Sequence, residues 1–234
     1  MQYKTDSWLE ERLKKNVYNL IIDSSDNYSF SLETQVSSPG LICSKVPSER
    51  VDLLSSLVKH DFDLIDINVL LETELKSLRN RKSDSLSVRE ANIQDEKILT
   101  SIAFEGFSKD RFHKDPKINN EHASQVKSDW VRNYVLGKRG DLSLVVEDKD
   151  KNVLGFLLII TKPNNDCVID LIAMDQNKRG LGAGSIIVGA IHDFLPKTNS
   201  VYVGTQLSNH KSINFYSKLG FKIHSTTFML HKHI

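Results

Sequence analysis

One stretch of the chain, residues 168–191 (VIDLIAMDQNKRGLGAGSIIVGAI), constrains the fold most, because an apolar strand runs through a glycine-rich loop directly into an apolar helix. Three alternate positions of the loop are glycine: Gly180, Gly182 and Gly184. Without side chains there, the backbone N–H groups of the loop can approach an anion. The start of the helix adds N–H donors and a partial positive charge, and Lys178 and Arg179 add full charges. The arrangement predicts a binding site for a pyrophosphate group.

Other interpretations of a glycine-rich loop are a nucleotide-binding motif or a connection that binds nothing. A dinucleotide fingerprint needs GxGxxG in the first strand–helix unit of its domain, with an acidic residue about 20 positions later. The string GLGAGS and the sequence SVYVG at residues 200–204 do not satisfy it. The Walker A spacing with its terminal Lys-Ser/Thr is also absent. A tight strand-to-helix connection without a ligand stays open as an alternative.

The charge balance of the chain argues against several classes of protein. The 234 residues include 31 Lys and Arg and 30 Asp and Glu, and a net charge of +1 gives no support to a nucleic-acid-binding protein. Residues 1–80 carry 9 basic and 13 acidic residues, a net charge of −4, which leaves +5 for residues 81–234. A mildly basic C-terminal part suits a phosphorylated small ligand better than a polymer.

Cysteine usage and hydropathy bear on the compartment. Cys43 and Cys167 lie outside any CxxC or Cys/His cluster, which predicts reduced, buried thiols and no structural zinc. The longest apolar run, residues 153–160, has eight residues, too few to cross a membrane. Residues 1–15 lack the apolar stretch of a signal peptide. We therefore expect a cytoplasmic protein that does not contact a membrane.

The apolar pattern divides the chain near a charged segment, residues 76–84. Before it, two strands and a helix predict a small α/β region over residues 1–80. After it, the order β-α-α-β-β-β-α-β-α-β predicts a mixed α/β domain over residues 83–234. The predicted strands cover residues 17–22, 61–71, 85–88, 142–147, 153–161, 167–174, 201–206 and 221–230, and the predicted helices cover residues 51–58, 94–107, 121–136, 182–195 and 212–219.

Three strings in the C-terminal part resemble a known family. RGLGAG (residues 179–184) satisfies the acetyl-CoA loop pattern Arg/Gln-x-x-Gly-x-Gly/Ala, although the commoner register would begin at Asn177. SNHKSINFYSKLGFK (208–222) is similar to Asn-x-x-Ala-x-x-x-Tyr-x-x-x-Gly-Phe, with Ser212 in place of Ala. SVREANIQD (87–95) is similar to a first strand and its entry into a helix. On these strings the chain resembles the GCN5-related N-acetyltransferases, the GNAT superfamily.

The resemblance implies the GNAT acyl-CoA N-acyltransferase fold, an α/β fold with a mixed sheet whose fourth strand splays away from the fifth. It also implies acetyl-CoA as the co-substrate and no metal. By the same resemblance, Asn209 ends a strand and contacts the CoA arm, and Gly220 ends the next helix in a left-handed conformation. The residues it assigns to acetyl-CoA are Ile172, Ala173, Met174, Lys178, Arg179, Gly180, Leu181, Gly182, Ala183, Gly184, Asn209 and Tyr216.

The implied reaction is direct attack of an amine on the thioester, which needs an oxyanion site, an acid and a neutral amine. Backbone N–H groups near Ala173 and Met174 are candidate oxyanion donors. Tyr216 can protonate the departing thiolate, or it can be a packed aromatic residue of an amphipathic helix. Asp170 is a candidate base that acts through water, or it faces solvent or caps a neighbouring group. His113 is a second candidate, and a dedicated base is not required.

The acceptor is suggested by residues 106–134. Within them, four residues could line a polar pocket, or form an ordered loop: Arg111, Phe112, His113 and Asp115. The run resembles the Ser-x-Phe-His-x-Asp-Pro string of acetyltransferases that act on nucleotide-linked amino sugars, the TDP-fucosamine acetyltransferase-like enzymes, with Arg111 as an added residue. This resemblance implies a sugar-nucleotide acceptor and an N-terminal half-sized α/β region on the acceptor side.

Several alternatives stay open after the sequence analysis. The acceptor could be a protein N-terminus or a polyamine, or the chain could be a non-catalytic acyl-CoA-binding module. A homodimer is compatible with the sequence. The pair His231 and His233 could hold a metal, but a solvated strand end is the interpretation we adopt, so no metal site is predicted.

Overall fold

Ten strands form one mixed sheet in the computed structural model, which describes residues 2–22, 38–178 and 180–234. The strands are β1 (Gln2–Thr5), β2 (Asn16–Ile21), β3 (Gly40–Pro47), β4 (Asp63–Glu74), β5 (Leu86–Glu90), β6 (Leu142–Asp148), β7 (Val153–Thr161), β8 (Cys167–Met174), β9 (Ser200–Gln206) and β10 (Lys222–His233). Their order across the sheet is β1-β2-β3-β10-β4-β9-β8-β7-β6-β5. The predicted mixed α/β class is confirmed.

Eight α-helices accompany the sheet in the described residues. They are α1 (Ser7–Leu13), α2 (Val51–Lys59), α3 (Glu96–Gly106), α4 (Arg111–Lys114), α5 (Asn120–Val135), α6 (Ala183–Gly189), α7 (Ile191–Phe194) and α8 (His210–Lys218), with 3₁₀ turns at Leu75–Ser77, Ile93–Asp95 and Gln176–Lys178. In this part of the chain, no helix is both long and apolar enough to cross a membrane.

The predicted elements after residue 84 are present with shifted ends, whereas four elements were missed. The helix predicted at 182–195 is two helices, α6 and α7, that meet at Ala190. Sequence analysis did not predict β1, α1 or β3, and it treated α4 as a loop. Strand β1 (QYKT) and the four-residue α4 are too short and polar to produce a hydrophobic period.

Strand β4 joins the two parts of the chain. Along one edge it pairs with β9, with Asn68 opposite Gln206 at one end and Glu74 opposite Ser200 at the other. Its other edge pairs with β10. Its buried Val69 belongs to the same core as residues of β7, β8 and β9. The strand near residues 60–75, placed at the end of a separate region by the sequence, is therefore a central strand of a common sheet. The division into an acceptor-side region, residues 1–80, and an acetyltransferase domain, residues 83–234, stays a prediction.

Helices cover the two faces of the sheet around β8 in different ways. On one face, α6 and α8 pack on the sheet through Ile187, Val188 and Tyr216. On the other face, α3 and α5 pack on β6–β8 through Leu99 and Val131. We refer to these as the α6 face and the α5 face. The glycine loop before α6 and the side chains of α5 thus approach β8 from opposite sides.

Candidate active site

Strands β8 and β9 separate halfway along their length, and the opening between them is the centre of the candidate site. Their parallel pairing begins where Cys167 lies opposite Val201 and stops where Ile169 lies opposite Val203. Beyond this point β9 continues to pair with β4, and β8 continues to pair with β7. The sheet is therefore open between the two strand ends, as the family resemblance implies. We call this opening the β8–β9 gap.

A bulge at Asp170 coincides with the start of the β8–β9 gap. Leu158 pairs with Leu171 whereas Ile159 pairs with Ile169, so Asp170 has no partner on β7 and is the extra residue of the bulge. A bulge bends its strand and increases the local twist. The bend explains why the following residues of β8 no longer pair with β9.

The backbone of β8 directs two N–H groups into the gap. Asp175 donates its N–H to the Leu154 carbonyl of β7 at 2.8 Å, and N–H groups alternate between the two edges along a strand. The N–H groups of Ile172 and Met174 therefore face the gap, and that of Ala173 faces β7. Among these three candidate residues, Ile172 and Met174 have the backbone donors available to an oxyanion.

Two residues of the glycine loop adopt a backbone conformation that favours glycine. Gly180 and Gly182 have positive φ angles of +92° and +76°, which residues with a Cβ rarely adopt. An added Cβ at either position would meet nothing within 4 Å, so the loop backbone is open. The N-cap residue of α6, Gly182, has no side chain that could cap the first turn. Leu181 is 61% exposed and Ala183 is buried, whereas Arg179 lies outside the described residues.

Packing brings the glycine loop, β8 and α8 together. An added Cβ on Gly184 would lie 3.4 Å from the Phe215 ring of α8 and 4.0 Å from the Met174 Cγ of β8. Lys178 is half-buried in the turn before the loop, where its side chain forms no ion pair with the described residues. The elements predicted to hold acetyl-CoA thus meet at one end of the gap.

Helix α8 begins and ends at defined capping residues. The Asn209 Oδ1 atom accepts a hydrogen bond from the Ser212 N–H at 3.4 Å. The prediction that Asn209 ends a strand is wrong, because β9 ends at Gln206 and Asn209 is the N-cap of α8. Gly220 follows the helix with a φ angle of +101°, which confirms the predicted left-handed helix end.

Tyr216 lies in the core on the α6 face. Its side chain is 4% exposed, and its ring contacts Phe215 and Phe221 edge-on, with centroid distances of 5.1 and 5.3 Å. Burial raises the pKa of the Tyr216 hydroxyl above its ordinary value, because a buried phenolate is poorly solvated. The hydroxyl is therefore protonated at neutral pH, the state that an acid requires.

Asp170 is held by three donors on the α5 face. Its Oδ2 accepts hydrogen bonds from Trp130 Nε1 (2.9 Å), Tyr134 Oη (2.6 Å) and Arg139 Nε (3.1 Å). The Asp170 side chain is 14% exposed, and Oδ1 accepts no hydrogen bond from the described residues. Sequence reasoning missed all three donors, because Trp130 and Tyr134 fit the apolar period of α5 and Arg139 follows it in a loop.

The residues predicted to line an acceptor pocket lie on or beside α4 and contact other parts of the chain. Phe112 is buried and stacks on the His231 ring, with centroids 6.0 Å apart. His113 Nδ1 lies 2.6 Å from Asp110 Oδ2, and its Nε2 lies 3.2 Å from Ser124 Oγ. Burial tends to raise the pKa of Asp110, but Lys127 and His113 lower it to about 2. His113 is therefore hydrogen-bonded at both ring nitrogens.

Asp115 links α4 to the last strand. Its Oδ2 lies 2.7 Å from His231 Nδ1 and 2.8 Å from His233 Nε2. Burial tends to raise the pKa of Asp115, but these hydrogen bonds hold it below its usual range. The expectation of a solvated strand end is wrong for His231, which has no exposed surface. The three residues place possible metal ligands within 4.8 Å of one another. Arg111 Nη1 is buried and donates no hydrogen bond to any residue that the structure describes.

A family model and a curated relative match this chain. Residues 104–221, slightly more than half of the chain, match the model of the acetyltransferase (GNAT) family. The spore coat polysaccharide biosynthesis protein SpsD of Bacillus subtilis (strain 168) is 21% identical over 241 residues, which cover 98% of this chain and 82% of SpsD.

Solved structures share the fold at low sequence identity. The GCN5-related N-acetyltransferase from Sphaerobacter thermophilus has a TM-score of 0.59 and 12% identity over 84% of this chain, which spans 60% of that protein's length. A glucosamine N-acetyltransferase region of a fungal multi-domain GH3 beta-N-acetylglucosaminidase has a TM-score of 0.59 and 15% identity, and the match covers 82% of this chain and 25% of that chain. The family match and the shared fold show that the chain belongs to the acetyltransferase (GNAT) family and is an acyltransferase.

Proposed function

We propose that the chain transfers the acetyl group of acetyl-CoA to the amino group of a nucleotide-linked amino-deoxysugar. The separation of β8 from β9 carries the proposal, because it joins the two faces of the sheet at one opening. The open glycine loop supports acetyl-CoA as the donor on the α6 face. The name of SpsD, a polysaccharide biosynthesis protein, supports a sugar derivative as the acceptor.

In this mechanism the neutral amine attacks the thioester carbon within the gap, which forms the C–N bond and a tetrahedral oxyanion. The N–H groups of Ile172 and Met174 stabilise the oxyanion. Collapse of the intermediate breaks the C–S bond, and the Tyr216 hydroxyl gives its proton to the departing thiolate. Asp170 takes the proton that the positively charged nitrogen of the tetrahedral intermediate loses, through a water molecule at Oδ1, which accepts no hydrogen bond from the described residues.

The acceptor extends along the α5 face towards α4. Phe112, His113 and Asp115 fix α4 through their contacts with β10 and α5. The buried Arg111 Nη1 donates no hydrogen bond to the described residues, and we assign it to the acceptor. The proposal includes the cytoplasmic location that we expect from the sequence.

The test is acetyl transfer to defined amines, measured as release of the CoA thiol. TDP- and UDP-linked 4-amino-6-deoxysugars are expected to support turnover, whereas the same amino sugars without the nucleotide react much more slowly. Peptides with a free N-terminus and polyamines complete the panel. Turnover of a peptide or a polyamine with no reaction of any sugar nucleotide would contradict the proposal.

A further inference from the structure

Two cations flank Trp130 beside the carboxylate at the β8–β9 gap. Arg139 Cζ lies 4.1 Å from the centroid of the Trp130 ring, and Lys127 Nζ lies 5.3 Å from it. Lys127 Nζ also lies 5.6 Å from the Phe107 ring. Since Trp130 Nε1 and Arg139 Nε both donate to Asp170 Oδ2, the indole and the guanidinium are held in fixed positions.

Both cations have donors that the protein leaves unused. Lys127 is half-buried, yet its ammonium forms no hydrogen bond or ion pair with the described residues. Arg139 uses only Nε on Asp170, so its two terminal nitrogens remain available in the described structure, and its side chain is 39% exposed. Asp110, an acid near Lys127, is already hydrogen-bonded to His113. We call Lys127, Arg139, Trp130 and Asp170 the cluster. With the two cations protonated and Asp170 ionised, the cluster has a net charge of +1.

Lys127 is half-buried among charges of both signs. Burial lowers the pKa of Lys127, and the positive charges of Arg111 and Arg139 lower it further, against the opposing effect of Asp110 and Asp170. A bound anion would relieve this repulsion because it would place negative charge between like charges.

The cluster borders an open part of the sheet on the α5 face. A cavity of about 490 Å³ lies over the sheet, lined by Leu70, Lys162, Pro163, Asn164, Asp166, Val168 and Tyr202. Val168 is two residues before Asp170 on β8, so the cavity begins about 7 Å along the strand from the cluster. Val168 points away from the core of the α6 face, which contains its neighbours Cys167 and Ile169. The cavity is therefore on the face opposite the glycine loop.

We infer that Lys127 and Arg139 bind a phosphate or diphosphate group of the acceptor, with the rest of its nucleotide directed to the cavity over Val168 and Tyr202. The identity of this acceptor rests on the proposed function. A guanidinium presents paired N–H donors that match two phosphate oxygens, and an ammonium adds a point charge. In a nucleotide-linked amino sugar, the sugar ring separates the amine from the diphosphate. The cluster lies at a corresponding place, beside the gap and not within it.

The experiment measures binding of UDP, dTDP and inorganic pyrophosphate by calorimetry, with CoA at saturation so that the glycine loop is occupied. Lys127→Met and Arg139→Gln each remove one cation, and both are expected to weaken binding of all three probes at least about tenfold, the effect of one charge-assisted hydrogen bond. Lys127→Arg is expected to restore binding. Lys138→Met is the matched control, because Lys138 is exposed and lies next to Arg139.

The inference is overturned if the wild-type protein binds none of the probes, or if Lys127→Met and Arg139→Gln bind them as tightly as Lys138→Met. CoA affinity and the unfolding temperature are measured for every variant, and unchanged values exclude general damage. Failure of the proposed function gives a different result: the probes bind with the expected dependence on Lys127 and Arg139, but no amino-sugar nucleotide is acetylated. Turnover of a sugar nucleotide whose KM is unchanged in both variants contradicts the inference alone.

Discussion

The two faces of the sheet approach the β8–β9 gap with different kinds of groups. On the α6 face, the glycine loop offers backbone N–H groups from residues that are close together in the chain. On the α5 face, Asp170 accepts hydrogen bonds from side chains of α5 and the loop after it, which are 31 to 40 positions away in the sequence. The first arrangement depends on local backbone conformation and the second on tertiary packing.

This difference suggests a division of roles. A loop built from backbone groups suits a ligand that many relatives share, because its donors do not depend on particular side chains. A cluster of side chains suits a ligand that is specific to this chain. Substitutions on the α6 face should therefore affect the acetyl-CoA step, and substitutions on the α5 face should affect the acceptor.

The largest effect is expected for Tyr216→Phe, which removes the proposed acid and keeps the ring. Turnover should fall about 10²- to 10⁴-fold, the usual contribution of general acid catalysis, while the acetyl-CoA dissociation constant stays nearly unchanged. Steady-state rates and calorimetry measure the two quantities. Tyr18→Phe, on β2, is the control. An equal loss of acetyl-CoA binding would show that Tyr216 is structural.

Asp170→Asn tests the acceptor side of the comparison. We expect kcat/KM for the amine to fall about 10²-fold, at the lower end for acid–base catalysis, with unchanged acetyl-CoA affinity. Asp150→Asn, in the exposed β6–β7 turn, is the control. An unchanged kcat/KM would assign the base to another group.

Gly182→Ala tests whether the loop depends on backbone conformation. A Cβ meets no atom within 4 Å there, but the φ angle of +76° disfavours alanine by about 1–2 kcal/mol. We expect acetyl-CoA binding to weaken about tenfold, the equivalent of 1.4 kcal/mol. Gly137→Ala is a matched control, because Gly137 has a φ angle of +65° and equal space. Equal acetyl-CoA affinity in the two variants would argue against the glycine loop as the site.

The smallest effect is expected in the pH dependence of the free energy of unfolding, to which the buried His231 contributes. Burial lowers the pKa of His231, as do Arg111 and His233, whereas the hydrogen bond to the Asp115 carboxylate raises it. The unfolded chain therefore binds the proton more readily, so the free energy of unfolding falls as the pH drops below about 6.5. His231→Asn should reduce this slope, by at most about 1.4 kcal/mol per pH unit. Denaturant unfolding at pH 7 and pH 5.5 measures it, and identical slopes would contradict the assignment.

The sequence predicted those features that depend on residues close together in the chain. Gly220 has the positive φ angle that was predicted for it, because only glycine adopts such angles freely. Gly180 and Gly182 of the predicted glycine loop have positive φ angles as well. Helix α8 with Tyr216 was also predicted, since its apolar period and its glycine stop lie within a few residues. These are the elements on which the family resemblance rests.

Other features could not be predicted, because they depend on which distant segments meet. The insertion of β4 between β9 and β10 is a choice of strand partners, and a strand with the same period could equally pair elsewhere. His231 and His233 have the pattern of a polar strand end, and His231 is buried because Phe112 and Asp115 of distant segments pack against it.

The sequence by itself determined the fold class, the glycine loop and the family, because glycine conformation and hydrophobic period are properties of short segments. The tertiary structure decided the bulge at Asp170 and the β8–β9 gap that follows it. It also decided which donors hold the Asp170 carboxylate and where Lys127 and Arg139 lie beside Trp130. Such groups are stabilised by hydrogen bonds and charge between residues far apart in the chain, and no local pattern records them.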